Sequence, residues 1–455
     1  MRRAGMLVML LLGAGCAPVV PPGGPPAAPP AAPASPPAPE PAREEPPVPP
    51  ATPPPATLGE PVLDIGLAWE LDTTRVAFDG TLQIEVQSHV RPDLRAVAGP
   101  VELRVSGSQV LVTPRDRRRA VPLFVLHEGD TLWVGPRELE RGERAAIRWN
   151  RQQWRGRFKM FLNARRKLTV VTRLALEPYL KGVVPGEIGA LSDSLIEAGR
   201  AQAIAARSYT LFYRGRRGAE GFDLYSTVED QVYGAFEAER PLATRCVEST
   251  RGLVGLWRGT PVRANYHSTC GGITAEAWEA WPTEPYDYLT SHLDAGVNGD
   301  HCARSPQYRW REEWPARDFA ANLAKHARTY GVRLPAAGVG EIRDVRVESR
   351  SRSGRVWRLQ VETSTGPIAI HAHSLRQMLR RSGNPGSILR SNLFKIDVRR
   401  EGASGRVSAV VASGAGSGHG VGLCQTGALG MARGGSRGEV ILAHYYPGAR
   451  LERLY

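Results

Sequence analysis

The feature that most limits what this chain can become is a proline- and alanine-rich run from residue 17 to about residue 57, including PPGGPPAAPPAAPASPPAPEPAREEPPVPPATPPPA. Proline fixes φ and has no N–H to donate, and alanine offers little apolar surface. Such a run builds no hydrogen-bonded element and buries no core. Extended, polyproline-like conformations are expected, and about 40 residues at roughly 3 Å each reach on the order of 100 Å. The folded part therefore begins near residue 58. The 455-residue chain is still long enough for two or three domains with real cores, and its 42% hydrophobic content is ordinary for a globular protein.

Ahead of the tether, residues 1–16 read as an export signal. Arg2 and Arg3 precede the apolar stretch Met6–Leu12, and Gly13-Ala14-Gly15 lead to Cys16. This resembles a bacterial lipoprotein signal, in which Cys16 is lipidated and becomes the mature N-terminus. A plain secretory signal is the alternative, because Gly13 stands where an aliphatic residue is usual. The apolar stretch is too short for a stable transmembrane helix. The expected location is the cell envelope, anchored to a membrane by lipid, and the tether then holds the folded part away from that surface.

The formal net charge is +14, with arginine prevailing over lysine, which calls for an acidic partner or surface. Export and the lack of any RNA- or DNA-binding motif argue against nucleic acid and favour anionic cell-wall polymers. Four cysteines follow the tether: Cys246, Cys270, Cys302 and Cys424. An even number in an oxidising compartment suggests disulfides, with three pairings open. No CxxC pair exists, which argues against a zinc ribbon.

Short alternating runs fill residues 60 to about 125 (VLDIGLAWEL, TLQIEV, VELRVS, QVLVT), and RGRFKMFLNARRKLTVVTRLAL repeats the pattern. These predict antiparallel strands. SDSLIEAGRAQAIAARSYTLFYRGRRG predicts a helix opening on a Ser194/Glu197 capping box, with Ala198, Ala201, Ala205, Ser208 and Phe212 forming one small-residue face. Further helices are expected in ERPLATRCVESTRG, over 315–331 and over 374–381, and further strands in IRDVRVESRSRSGRVWRLQVETSTGPIAIHA. The fold class is α+β.

Between these segments lies LEPYLKGVVPGEIG (176–189), which places Glu187 among Val183, Val184 and Ile188. Pro185-Gly186 and Gly189 predict a short loop. A carboxyl held against apolar side chains resists ionisation, so its pKa rises toward the range of a general acid. Four other patches complete the pattern: QAIAARSYTL (202–211), DQVYGA (230–235), YHSTCGGITAEAW (266–278) and GSGHGVGLCQTGALGMA (416–432).

In this order the patches resemble the sporulation stage II protein D/LytB family of cell-wall proteins, from about residue 60 to Tyr455. The resemblance implies a β-rich part over 58–160 and a catalytic region over 161–455. The catalytic domain would be mixed α/β with antiparallel segments and an inserted or appended β-rich docking domain. It also implies lytic transglycosylase activity on peptidoglycan glycan strands, with the glutamate of VVPxE, here Glu187, as the catalytic residue. Other members are described as enhancers of cell-wall amidases, so a non-catalytic wall protein that recruits an amidase is the rival class.

Water-dependent glycosidases need two carboxylates. A lytic transglycosylase needs one, because the 6-hydroxyl of N-acetylmuramic acid attacks its own anomeric carbon. No second acid lies beside Glu187 in the local sequence, although folding can bring Asp230 near. Arg207, from AARSY, is expected to hold Glu187 or to bind substrate. His267, His419 and Gln425 are expected sugar contacts, and Trp278, Trp281, Tyr286 and Tyr288 either stack on sugars or pack a core. A metal held by His267 and Cys270 with His301 and Cys302 is weighed against a Cys270–Cys302 disulfide, and the disulfide is preferred. The zinc site of some relatives has Cys and His just ahead of QVY; FDLYSTVEDQVY has neither, so no metal or other cofactor is expected.

Overall fold

The structure is a computed structural model that describes residues 59–78, 81–88, 92–114, 121–141 and 147–455. The export signal, Cys16 and the Pro/Ala tether lie outside the described residues.

Two antiparallel-rich sheets open the fold. The larger has seven strands in the order Leu224–Tyr225, Val62–Leu71, Leu168–Ala175, Arg157–Leu162, Thr131–Val134, Thr81–Gln87 and Asp93–Ala98. The second has six, running from Gln152–Trp154 to Phe124–Leu126. Leu168–Ala175 is buried on both faces, as its nearly continuous apolar and threonine run requires, whereas Val101–Ser106 and Gln109–Pro114 of the second sheet largely alternate in burial. Each of its fully buried Leu and Val side chains contributes about 1.5–3 kcal/mol of apolar burial. This sheet crosses the expected division at residue 160, which falls inside the strand Arg157–Leu162.

Five helices complete the first core: α1 (Leu176–Ile188), α2 (Ile196–Tyr213), α3 (Pro241–Ser249) and, after α4 (Ala277–Ala280) and a long excursion, the final pair described below. The expected small face of α2 is present. Ala198, Ala201, Ala205 and Ser208 are buried, and α2 packs on α1 and α3. The expected capping box is not. Leu195 precedes the helix with no side-chain cap, and Ser194 Oγ meets Ser192 Oγ instead. The Glu197 carboxylate accepts from the Gly438 N–H at 2.7 Å.

The excursion carries its own core. Trp310, Trp314, Phe319, Leu323, Leu359, Val361, Ile368, Ile370 and Val410 are among its buried side chains. Around them lie α5 (Ala316–His326), α6 (Ala372–Met378), the meander Ile342–Arg350, Val356–Thr363, Gly366–His371, and the sheet Arg309–Pro315, Val407–Ala415, Phe394–Arg400. The chain then returns to the first core through α7 (Gln425–Arg433) and α8 (Gly438–Tyr445). The architecture is thus α+β with a β-rich insertion.

Candidate active site

Glu187 lies in the last turn of α1, not in a loop. Pro185 is inside the helix, and Gly189 ends it at φ 78°, with its N–H on Pro185 O at 3.2 Å. Packing decides this outcome. At Gly182 an added Cβ would stand 2.5 Å from the Tyr233 ring and 2.6 Å from Gly234 O, so only glycine lets α1 lie against the QVYG segment. The Gly234 N–H bonds Gly182 O at 3.1 Å across that contact.

The same segment supplies the first partner of Glu187. The Val232 N–H donates to Glu187 Oε1 at 2.8 Å. Gln231 anchors Val232 from inside: its Oε1 accepts from Tyr179 Oη (3.1 Å) and Thr210 Oγ1 (2.8 Å), and its Nε2 donates to Ala206 O (3.1 Å). On the other carboxylate oxygen, Gln425 Nε2 donates at 3.4 Å from the first turn of α7. A two-residue parallel ladder, Tyr266–His267 with Leu423–Cys424, sets this approach. The Tyr266 hydroxyl lies beside the same carboxyl.

Burial pushes the Glu187 pKa above the usual carboxylate range, against smaller downward pulls from Val232, Gln425 and Tyr266. Its place at the C-terminal, negative end of α1 acts in the same direction. Half-buried, with exposed Gly186 and Gly189 beside it, the carboxyl keeps access to solvent. Among the described residues no other carboxylate joins its hydrogen bonds. Asp230 is turned away, held by Arg217 at 3.1 Å, Arg216 at 3.4 Å and the Tyr225 N–H at 2.8 Å.

His267 and His419 face each other with ring centroids 5.3 Å apart, and Trp281 packs on His419 at 4.7 Å. His267 Nδ1 is 3.1 Å from Val421 O, so Nδ1 carries the proton and the unpartnered, buried Nε2 is an acceptor. Burial, with the nearby Arg355 charge, lowers its pKa to about 4. His419 Nδ1 accepts from the Val421 N–H at 3.1 Å, and burial and His267 hold its pKa well below the ordinary value. Both rings are therefore neutral at pH 7. Tyr288 is a core residue whose hydroxyl accepts from the Arg263 N–H, and Trp278 packs on Trp357 of the insertion.

Two expectations are corrected. Arg207 is fully buried and makes a bidentate ion pair with Glu177 (2.8 and 2.7 Å), with a further bond to Leu253 O (3.0 Å). It pins α2 to α1 and has no surface to offer a substrate. Cys270 and Cys302 are free thiols, 3.5 Å apart; Cys424 and Asp294 share their pocket, and Cys270 Sγ donates to Asp294 Oδ2 at 2.9 Å. Sequence reasoning missed Tyr266 and the Val232 amide, although both lie in patches it had marked. A backbone donor leaves no residue-type signal.

Fold and site together define an α+β protein that presents one half-buried carboxyl at a helix end. Residues 164–257 match the family model of the stage II sporulation protein, and residues 282–422, most of the insertion, match that of a domain of unknown function (DUF8618). The chain is 28% identical over 298 residues to stage II sporulation protein D of Bacillus subtilis, covering 62% of this chain and 75% of that protein. It is 26% identical over 291 residues to an uncharacterised protein of Brachyspira hyodysenteriae, covering 64% and 70%. To the amidase enhancer of Bacillus subtilis it is 27% identical over 304 residues, or 60% of this chain but 40% of the enhancer. Through residues 164–257, the segment that carries Glu187, the chain is similar to the stage II sporulation protein D/LytB family of cell-wall proteins.

Proposed function

We propose that this protein is a lytic transglycosylase of peptidoglycan, cleaving glycan strands stripped of stem peptides between N-acetylmuramic acid and N-acetylglucosamine. The observation that carries the reading is the Glu187 carboxyl, its pKa raised by burial, with no second carboxylate among the described residues joining its hydrogen bonds. Protonated, Glu187 gives its proton to the glycosidic oxygen as the C1–O bond breaks. The carboxylate then takes the proton of the muramic acid 6-hydroxyl as O6 bonds to C1. The product is a 1,6-anhydro end, and one group serves as acid and then base. Val232 and Gln425 stabilise the carboxylate midway, and the partly exposed His419 and Trp281 offer flat faces for sugar rings, whereas His267 is buried beneath them. Export and lipidation at Cys16 belong to the same proposal, and Cys16→Ser would abolish palmitate labelling of the protein in cells.

The similarity to an amidase enhancer favours a second reading, a wall protein that stimulates an N-acetylmuramoyl-L-alanine amidase. Digestion of denuded glycan strands separates the two. Anhydro-muramyl products that vanish with Glu187→Gln support the enzyme. Intact glycan together with faster amidase turnover supports the enhancer, and reducing muramic acid ends would mean a two-acid hydrolase.

A further inference from the structure

Cys270, Cys424 and the two ends of the Ala295–Asp300 hairpin, Asp294 and Cys302, come from three separate segments, yet their ligand atoms all lie within 4.8 Å of one another. Each is at most 1% exposed. Three thiols and a carboxylate around one point are a costly thing to bury without a purpose. We propose that this cluster is a structural zinc site of the Cys3Asp type, placed directly beneath the catalytic surface.

The donor set suits the metal. Zinc takes four ligands tetrahedrally with sulfur at about 2.3 Å, which sets neighbouring sulfurs about 3.8 Å apart. Cys270 and Cys302 Sγ stand 3.5 Å apart, so a few tenths of an ångström of movement opens the site to that geometry.

The surroundings are those of a thiolate cage. Backbone N–H groups point at the sulfurs: Cys270 N to Cys424 Sγ (3.2 Å), Gly427 N to Cys424 Sγ (3.3 Å) and Gly272 N to Cys270 Sγ (3.3 Å). Gly271 and Gly272, at φ 83° and 105°, permit the turn that aims the last of these. Asp294 keeps Oδ2 toward the sulfurs, while its Oδ1 accepts from Tyr445 Oη at 2.8 Å and lies 3.2 Å from His444 Nε2. Such outer partners orient a metal-binding carboxylate.

Charge points the same way. Zinc with three thiolates and one carboxylate carries about two negative charges. Arg355, 3% exposed, reaches in from the insertion and bonds the Cys270 and Ile273 carbonyls at 3.1 Å. Its hydrogen bonds among the described residues go to backbone carbonyls, with a further one to Thr274 O at 3.4 Å. Glu279 lies near enough to favour its charge without pairing with it, and an anionic zinc cluster would add a second such neighbour.

Cys424 is the N-cap of α7, and the next residue is Gln425, which touches Glu187. The metal thus fixes the insertion's return point and the helix that carries Gln425. Its role is positioning, and it takes no part in the bond-breaking step.

Tag-free full-length protein, expressed with zinc in the medium, tests the proposal by elemental analysis. About one zinc per chain is expected. The three thiols should resist alkylation until a chelator is added, while Cys246 reacts at an unchanged rate. Cobalt in place of zinc should give thiolate charge-transfer absorption and the intense visible bands of a tetrahedral ion. Tyr445→Phe, which keeps every ligand, should loosen zinc by about 10- to 100-fold. Cys424→Ser should abolish stoichiometric binding, and if that variant does not fold, the alkylation and cobalt measurements on the native chain decide. Metal-free protein from the same preparation, or a Cys270–Cys302 disulfide in a peptide map, overturns the proposal. So does zinc content and thiol protection that Cys424→Ser leaves intact.

Discussion

Replacing Arg207 by methionine is the sharpest test of how α1, the helix that carries Glu187, is held. The side chain is fully buried and gives two hydrogen bonds to Glu177 and one to Leu253 O. Glu177 also receives the Gly252 N–H at 3.2 Å and the Tyr455 hydroxyl at 2.6 Å. Methionine fills similar space but leaves a buried carboxylate without its cation, which costs about 3–5 kcal/mol. A Glu177→Leu/Arg207→Met double variant removes the orphaned charge. It still strands the Leu253 carbonyl, the Gly252 N–H and the Tyr455 hydroxyl at about 1 kcal/mol each, so it should recover part of the loss. Burial alone pushes the Glu177 pKa up, but Arg207, with help from Tyr455 and Gly252, holds it below its ordinary value. Native stability from this group is therefore present above its unfolded pKa and is lost as pH falls through the folded one. Without Arg207 burial prevails and the sign reverses, so the deficit of Arg207→Met should narrow on acidification. Urea unfolding of wild type, both single variants and the double variant at two pH values measures this directly. A variant as stable as wild type, or a deficit independent of pH, refutes the reasoning. A stable variant that no longer cleaves glycan would return Arg207 to the substrate's path.

Glu187→Gln should cost about 10²- to 10⁴-fold in glycan cleavage, measured by anhydro-muramyl release. The same variant should be more resistant to urea at pH 7. The raised native pKa of Glu187 makes its ionised form a liability, and that gain should fade as pH falls from the folded pKa to the unfolded one. Cleavage should decline as pH rises through the Glu187 pKa, and Tyr266→Phe should move this decline to higher pH by removing one downward pull; an unmoved pH–rate profile counts against the contact. Gly182→Ala should destabilise by about 1–3 kcal/mol and lower turnover, because its methyl group enters the Tyr233 ring and parts α1 from Val232; calorimetry and kinetics check both.

Glu187 was legible in the sequence because its apolar neighbours and Pro-Gly setting marked it, but its local structure was not. Proline and glycine signal a turn by local propensity, and the packing of Gly182 and Gly186 on QVYG keeps the chain helical to Ile188. The capping box failed for a similar reason: Gly438, far along the chain, claims Glu197. Arg207 stood out correctly as non-random, yet its partner was Glu177, ten residues before the acid it was assigned to. The cysteines could be counted, but only the fold brings Asp294 and Cys424 to Cys270 and Cys302. Helices and strands with long periodic patterns, such as α2 and the meander of the insertion, followed their sequences closely.

The two-residue ladder between Tyr266–His267 and Leu423–Cys424 has an evolutionary consequence. It closes a loop that contains the separately cored unit, and both of its strands lead to Glu187. Closure entropy grows only with the logarithm of loop length, about 0.6 kcal/mol per doubling. A lineage built on this plan can enlarge, trim or exchange the unit at small thermodynamic cost, provided the few residues at its base still meet. Specificity can then drift in the enclosed unit while the chemistry at its base stays unchanged.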